Sequence, residues 1–151
     1  MLKLGIESGS QKVLDQMEKG TELETISTTL KTLRSAGIAT YVYLLFGTPG
    51  EDYHEALKTL EFTRQHATCI NFLNLAIFNM PINSPESSRY PSTSFNDDDL
   101  SLYRDFTHPK GWDRQQIRQF LSKEFKQDPA IKSILANDPP LFTSNHAALF
   151  V

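Results

Sequence analysis

Cysteine is almost missing from this sequence: Cys69 is the one cysteine among 151 residues. That excludes an internal disulfide and any metal site built from several cysteines of this chain. Long hydrophobic runs are missing as well, since no stretch approaches the ~20 apolar residues of a spanning helix. Met1-Leu2-Lys3 leads straight into a strand-like segment rather than a signal peptide, so a cytoplasmic protein without membrane contact is expected. Neither sign of charge dominates. Fifteen Lys and Arg against eighteen Asp and Glu give a formal net charge of -3, which offers no basic surface to nucleic acid. His54, His66, His108 and His146 lack ligand spacing, internal repeats are absent, and no low-complexity tract interrupts the chain. What remains is ordinary globular composition, 39% hydrophobic and 22% charged, enough for one real core.

The most telling stretch runs from Tyr41 to Asp52, Tyr-Val-Tyr-Leu-Leu-Phe-Gly-Thr-Pro-Gly-Glu-Asp. Six apolar or aromatic residues in a row, Tyr41 to Phe46, fit a strand covered on both faces in a parallel sheet. The strand ends at Gly47-Thr48-Pro49-Gly50, and Glu51 and Asp52 open a helix. Open α/β folds and barrels build ligand sites where a strand turns into a helix N-terminus, so the site is expected here.

The flanking elements follow the same grammar. Leu2 to Ile6 reads as a strand, Ser10 caps a helix carrying Val13, Leu14 and Met17, and Lys19-Gly20 stops it. Thr21 and Glu24 predict a capping box, with Leu23, Ile26, Leu30 and Leu33 at helical spacing up to Gly37. A helix from about Asp52 to His66 turns Ala56, Leu57, Leu60 and Phe62 or Thr63 inward, and Ile70 to Phe78 is a third strand. Strand, helix, strand, helix, strand at this spacing predicts two crossover units and three parallel strands. The first strand then has an open edge, which something must cover.

Past Met80 the pattern changes. Pro81 to Pro91 reads as an irregular loop, and Asp97 to Phe106 as a short helix behind an acidic cap. Asp113 to Lys126 is a helix with Ile117, Phe120, Leu121 and Phe125 on one face and Arg114, Arg118 and Lys123 off it. Asp128-Pro129 opens a last helix through Leu135. The apolar end, Pro139 to Val151, is expected to dock on the sheet or on a partner. Trp112 reads as a core anchor and Cys69 as a small buried side chain.

Gly5-Ile6-Glu7-Ser8-Gly9-Ser10, Val13 to Gly20, Ala36-Gly37-Ile38 and Leu45-Phe46-Gly47-Thr48-Pro49-Gly50-Glu51 occur in register over residues 2 to 85. Together they resemble the second half of a radical S-adenosylmethionine (radical SAM) enzyme core, in the branch that often carries a cobalamin-binding domain. The resemblance implies residues 1–85 as the C-terminal half of a partial, TIM-like β/α barrel and 86–151 as a helical extension. It implies S-adenosylmethionine as cofactor and a small-molecule substrate that it does not identify. Glu7 and Ser8 would contact the ribose hydroxyls, a role that suits a carboxylate acceptor. Lys19 stands where many members have an arginine for the methionine carboxylate, and supplies charge without the bidentate fork. Leu45, Phe46 and Gly47 match the strand end under adenine, and the turn through Glu51 closes beneath it.

One departure governs the chemistry. Radical SAM enzymes hold a four-iron, four-sulfur cluster on Cys-x3-Cys-x2-Cys, and Cys69 alone does not form it. The chain therefore reads as a fragment, inactive alone, of a longer parent enzyme that would carry the cluster and, in this branch, cobalamin. Its expected partner is the missing N-terminal half of the barrel or a second copy at the open edge. The competing reading is a stand-alone half-barrel that binds or assembles, dimerising through residues 2–6. A phosphate site at Gly47 to Glu51 is a third, disfavoured because Glu51 repels anions.

Overall fold

The computed structural model describes residues 1–93 and 102–138. Three strands, β1 (Leu2–Glu7), β2 (Thr40–Phe46) and β3 (Phe72–Ile77), form a parallel sheet in the order β1-β2-β3. Between them run α1 (Gln11–Gln16), α2 (Leu23–Ser35) and α3 (Tyr53–Gln65). Tyr43 stands beside Gly5 on one side and Asn74 on the other; β2 and β3 end level at Phe46 and Ile77, and β1 ends at Glu7 beside Leu44, two residues earlier. A bulge between Gly5 and Glu7 shifts the end of β1. Among the described residues nothing pairs with the outer edge of β1, where Leu2 is 46% exposed.

The strand pattern separates the two faces of the sheet. Val42, Leu44 and Phe46 alternate onto one face and share a single core with Leu14, Leu30, Ala56, Ile117, Phe120 and Ile131. That core draws on residues from Ile6 to Ile134, because α4 (Arg114–Lys123) and α5 (Pro129–Leu135) pack into it as well. Phe46 is fully buried, with Phe125 edge-on at 5.2 Å and Phe120 at 6.1 Å between ring centroids. Burying one such side chain contributes ~1.5–3 kcal/mol. On the other face Tyr41 and Phe72 are buried with Met1 and Tyr43 beside them, and Leu45, Asn74 and Ala76 are half-buried toward the strand ends.

Helix boundaries follow their caps. Asp52 caps α3 at the Glu55 amide, 3.1 Å, and Asp113 and Gln116 form a reciprocal capping box on α4. Asp128 caps α5, whose first residue is Pro129. The box expected at Thr21 does not form. The cap position of α2 is Glu22, whose side chain caps nothing, and Thr21 turns its hydroxyl to the Lys19 carbonyl. Gln11 of α1 takes over, accepting from the Leu23 amide at 2.9 Å and donating to Thr21 O at 3.2 Å. A neighbouring helix thus satisfies the donor that local sequence was expected to satisfy.

The region after β3 differs more. Met80–Pro81 (β4), Ser92–Thr93 (β5) and Tyr103–Phe106 (β6) make a small antiparallel sheet in the order β4-β6-β5. Residues 103–106, expected at the end of a short helix, are therefore strand, and Pro81 of β4 is the first residue of what reads as an irregular loop. The pairs that make them strand, Met80↔Arg104 and Pro81↔Tyr103, lie 24 and 22 residues apart, and no local pattern carries them. The rest of the expected helix, 97–101, and the apolar end, 139–151, lie outside the described residues. No helix among the described residues is long and apolar enough to cross a membrane.

Candidate functional site

The turn after β2 is built around a buried carboxyl group. Gly47 takes φ +80, and a Cβ there would meet Ile117 Cδ1 at 2.4 Å, so glycine ends the strand for two reasons. Glu51 folds back under this turn, wholly buried. Its Oε2 accepts from the Gly47 amide and from the Trp112 indole N–H at 3.2 Å. Its Oε1 and the hydroxyl of Thr48 have no partner among the described residues. With no cation beside it among the described residues, burial pushes the Glu51 pKa up to about 7, against the pull of the two N–H donors, and the charges of Asp52 and Glu55 add to the rise.

A strap from the C-terminal part holds the turn from outside. His108 Nδ1 accepts from the Lys110 and Trp112 amides, at 3.2 and 3.3 Å. Its proton therefore sits on Nε2, which donates to Thr48 O at 2.9 Å. Burial holds this imidazole below its ordinary pKa despite the carbonyl bond, so it is neutral at pH 7. Lys110 reaches the Gly50 carbonyl and the Asp52 carboxylate, the latter at 3.0 Å.

Two cavities open at this carboxyl end of the sheet. One of about 500 Å³ lies among Gly47, Phe78, Arg104, Phe106, Trp112 and Arg114. The other, about 450 Å³, lies across the turn among Met17, Glu18, Thr48, Gly50 and Tyr90, and Phe78 borders both. Both fall in the size range of small-molecule sites, about 300–1,000 Å³.

The turn after β1 has a different construction. Glu7 has φ 67, a left-handed backbone that non-glycine residues seldom adopt. Its carboxylate lies over Gly5, where a Cβ would come within 2.6 Å of Oε1, and Lys19 Nζ stands 3.3 Å from the same oxygen. Ser8 is fully buried, its hydroxyl shared with Thr59 Oγ1 at 3.1 Å and accepting from the Ser10 amide. Ser10 caps α1 and donates to Glu55 of α3. Burial alone would raise the Glu55 pKa, but Ser10, Lys58 at 3.0 Å and Lys12 hold it below the usual carboxylate value.

The seven residues singled out by the resemblance are not gathered around one cavity. Glu7 and Lys19 meet at the end of β1, with side chains 20% and 35% exposed. Ser8 points into the contact with α3, and Phe46 into the main core. Leu45 lies on the face opposite Phe46, half-buried, and Gly47 lines the larger cavity with Glu51 beneath it. Cys69 sits in a short turn (Ala67–Cys69) before β3, at the opposite end of the sheet, where its carbonyl accepts from Thr40. Among the described residues no group of three His, Cys, Asp or Glu could hold a metal ion. The residues present do not fit an iron-sulfur cluster.

Sequence reasoning missed His108, Arg104 and the buried role of Thr59; Thr63, given as an inward alternative to Phe62, is buried. His108 lies 60 residues from Thr48, and no local spacing announces it. Glu55, Thr59 and Thr63 recur four residues apart, a polar stripe that was readable from spacing. The arrangement defines a class: an α/β chain with a parallel three-stranded sheet and clefts at the carboxyl ends of its strands. No protein-family profile matches the chain, and no curated protein does.

Proposed function

We propose that this chain is the C-terminal half of a radical SAM barrel, supplying part of the S-adenosylmethionine pocket and a substrate-facing wall. The observation that carries the reading is Glu7, a carboxylate in a strained backbone at the carboxyl end of β1, paired with Lys19 and partly exposed. Strain of this kind persists where surrounding structure enforces it, and it concentrates at ligand sites. A carboxylate there accepts from two ribose hydroxyls, and Lys19 carries the charge for a carboxylate. The cofactor, when bound, would be the source of a 5′-deoxyadenosyl radical in the parent enzyme. Ser8, Phe46 and Glu51 act in this reading as supports that hold the strand ends, since none of the three side chains is exposed.

The sheet supports the same reading in two further ways. Its second face is half-exposed at Tyr43, Leu45, Asn74 and Ala76, as expected for a wall that looks into a barrel. The outer edge of β1 is where the N-terminal half, with its cluster cysteines, would pair. A second copy pairing there is the alternative, and it would leave a binding module rather than an enzyme.

Two measurements test the proposal. The DNA upstream of the Met1 codon, read in frame, should encode Cys-x3-Cys-x2-Cys after a strand-like segment; a stop codon close upstream overturns the fragment reading. S-adenosylmethionine titrated into the chain by calorimetry should bind saturably, and Glu7→Ala should weaken it about tenfold. Equal binding to both proteins removes Glu7 from the pocket.

A further inference from the structure

The larger cavity makes no use of the residues that resemble a radical enzyme's pocket, apart from the backbone of Gly47, and its walls have a chemistry of their own. One side is apolar and aromatic. Phe78 and Phe106 stand edge to face, 5.8 Å between centroids, and Trp112 and Ile117 continue the surface. The other side is charged, with Arg104 and Arg114 beside Asp105 and Asp113. Arg114, first residue of α4, donates to the side-chain oxygen of Asn79 at 2.6 Å and to the Phe78 carbonyl at 3.4 Å, which fixes its guanidinium at the cavity.

Arg104 is the telling residue. It lies opposite Met80 in the β4–β6 register, and Phe106 follows two positions on, so all three side chains leave one face of the small sheet. Met80 is fully buried there, whereas the Arg104 guanidinium makes no hydrogen bond or ion pair among the described residues. The acids nearby do not answer it. Asp105 and Asp113 share the lining, but neither bonds Arg104: Asp113 is held by the capping box of α4, the Asp105 side chain leaves β6 on the face opposite Arg104, and neutral His108 adds no charge. Two arginines, Arg104 without a partner among the described residues, thus border an aromatic cavity of about 500 Å³ together with two aspartates that do not pair with Arg104.

We infer that this cavity is a binding site for a small aromatic carboxylate, its ring between Phe78, Phe106 and Trp112 and its carboxylate on Arg104. A planar guanidinium matches a carboxylate with two parallel N–H···O bonds, and a flat ring fills a slot lined by ring faces and edges. The site does not rest on the radical-enzyme reading, and it stands if the upstream test fails.

Naphthalene-2-carboxylate is a suitable probe, read by quenching of Trp112, the single tryptophan of the sequence. The acid should bind saturably below about 1 mM, and its neutral amide about tenfold more weakly. Arg104→Ala should abolish the preference for the acid while the far-ultraviolet dichroism stays native, because Arg104 holds nothing else. Arg118→Ala, on the wet face of α4, should leave the preference intact. Equal binding of acid and amide, no saturable quenching at millimolar probe, or the same loss in both arginine variants overturns the proposal.

Discussion

The turns after β1 and β2 do the same topological job, carrying a strand end into a helix, and they are held in opposite ways. The first is closed from within: Ser8, Ser10, Thr59 and Glu55 satisfy one another, and two lysines compensate the carboxylate. The second is held from outside by the strap at 108–112, and it keeps a carboxyl with no cation and one unpartnered oxygen. A buried charge with donors and counter-ions is stable scaffolding, whereas a buried acid without a counter-ion is a titrating group. The cavities open beside the second turn, where polar groups remain unspent.

The comparison can be broken most sharply at Gly9. A Cβ there would lie 2.6 Å from Phe62 Cβ and 2.8 Å from both the Lys58 carbonyl and Thr59 Cα, where backbone of α3 has no room to move. Gly9→Ala should cost about 3 kcal/mol in urea unfolding. A loss below about 1 kcal/mol would mean that the first turn is not rigidly docked.

Glu51→Gln should have the next largest effect, through pH. A carboxyl raised from 4.5 to about 7 in the folded state keeps its proton there while the unfolded chain has lost it. Its contribution is complete below about pH 4.5 and declines as pH rises to about 7, then stays level. The decline amounts to about 3 kcal/mol. Glutamine keeps an acceptor for Gly47 and Trp112 and has no proton to lose, so Glu51→Gln should remove this slope from the pH dependence of unfolding. An unchanged slope refutes the titration of Glu51. Glu55 has the reverse sign, since its lowered pKa adds stability that is lost as pH falls.

Ser10→Ala removes the α1 cap and a donor to Glu55 together, and should cost about 1–2 kcal/mol while shifting the Glu55 titration upward. A carboxyl-resonance titration of Glu55 separates the two losses. Gly50→Ala should have the smallest effect, under about 0.5 kcal/mol. Its added Cβ meets the side chain of Gln16, which can swing away, and not backbone as at Gly9. If Gly50→Ala proved as harmful as Gly9→Ala, the two turns would be equally rigid and the contrast would fail.

Much of the parallel sheet was legible because its signals are local. Asp52 and His66 bound α3 where expected, Asp113 and Asp128 cap α4 and α5, and the apolar run at Tyr41 to Phe46 is the central strand. Ile117, Phe120, Leu121 and Phe125 are all buried, as their spacing predicts. The inward face of α3 was read less well. Leu57 and Leu60 are only partly buried, while Glu55, Thr59 and Thr63 are inside, because turn residues 8–10 bring hydrogen-bond partners that apolar periodicity does not register.

By itself the sequence determined the order of helices and strands in the first 78 residues, the parallel character of the sheet and the position of its glycine turn. These depend on periodicity, caps and chain length, which act over a few residues at a time. Tertiary structure alone decided that Glu51 is buried without a cation, that His108 is neutral and bonded to Thr48, and that Arg104 faces an aromatic cavity. Each of those depends on groups tens of residues apart meeting in one place, and burial, charge pairing and proton affinity have no value until they do.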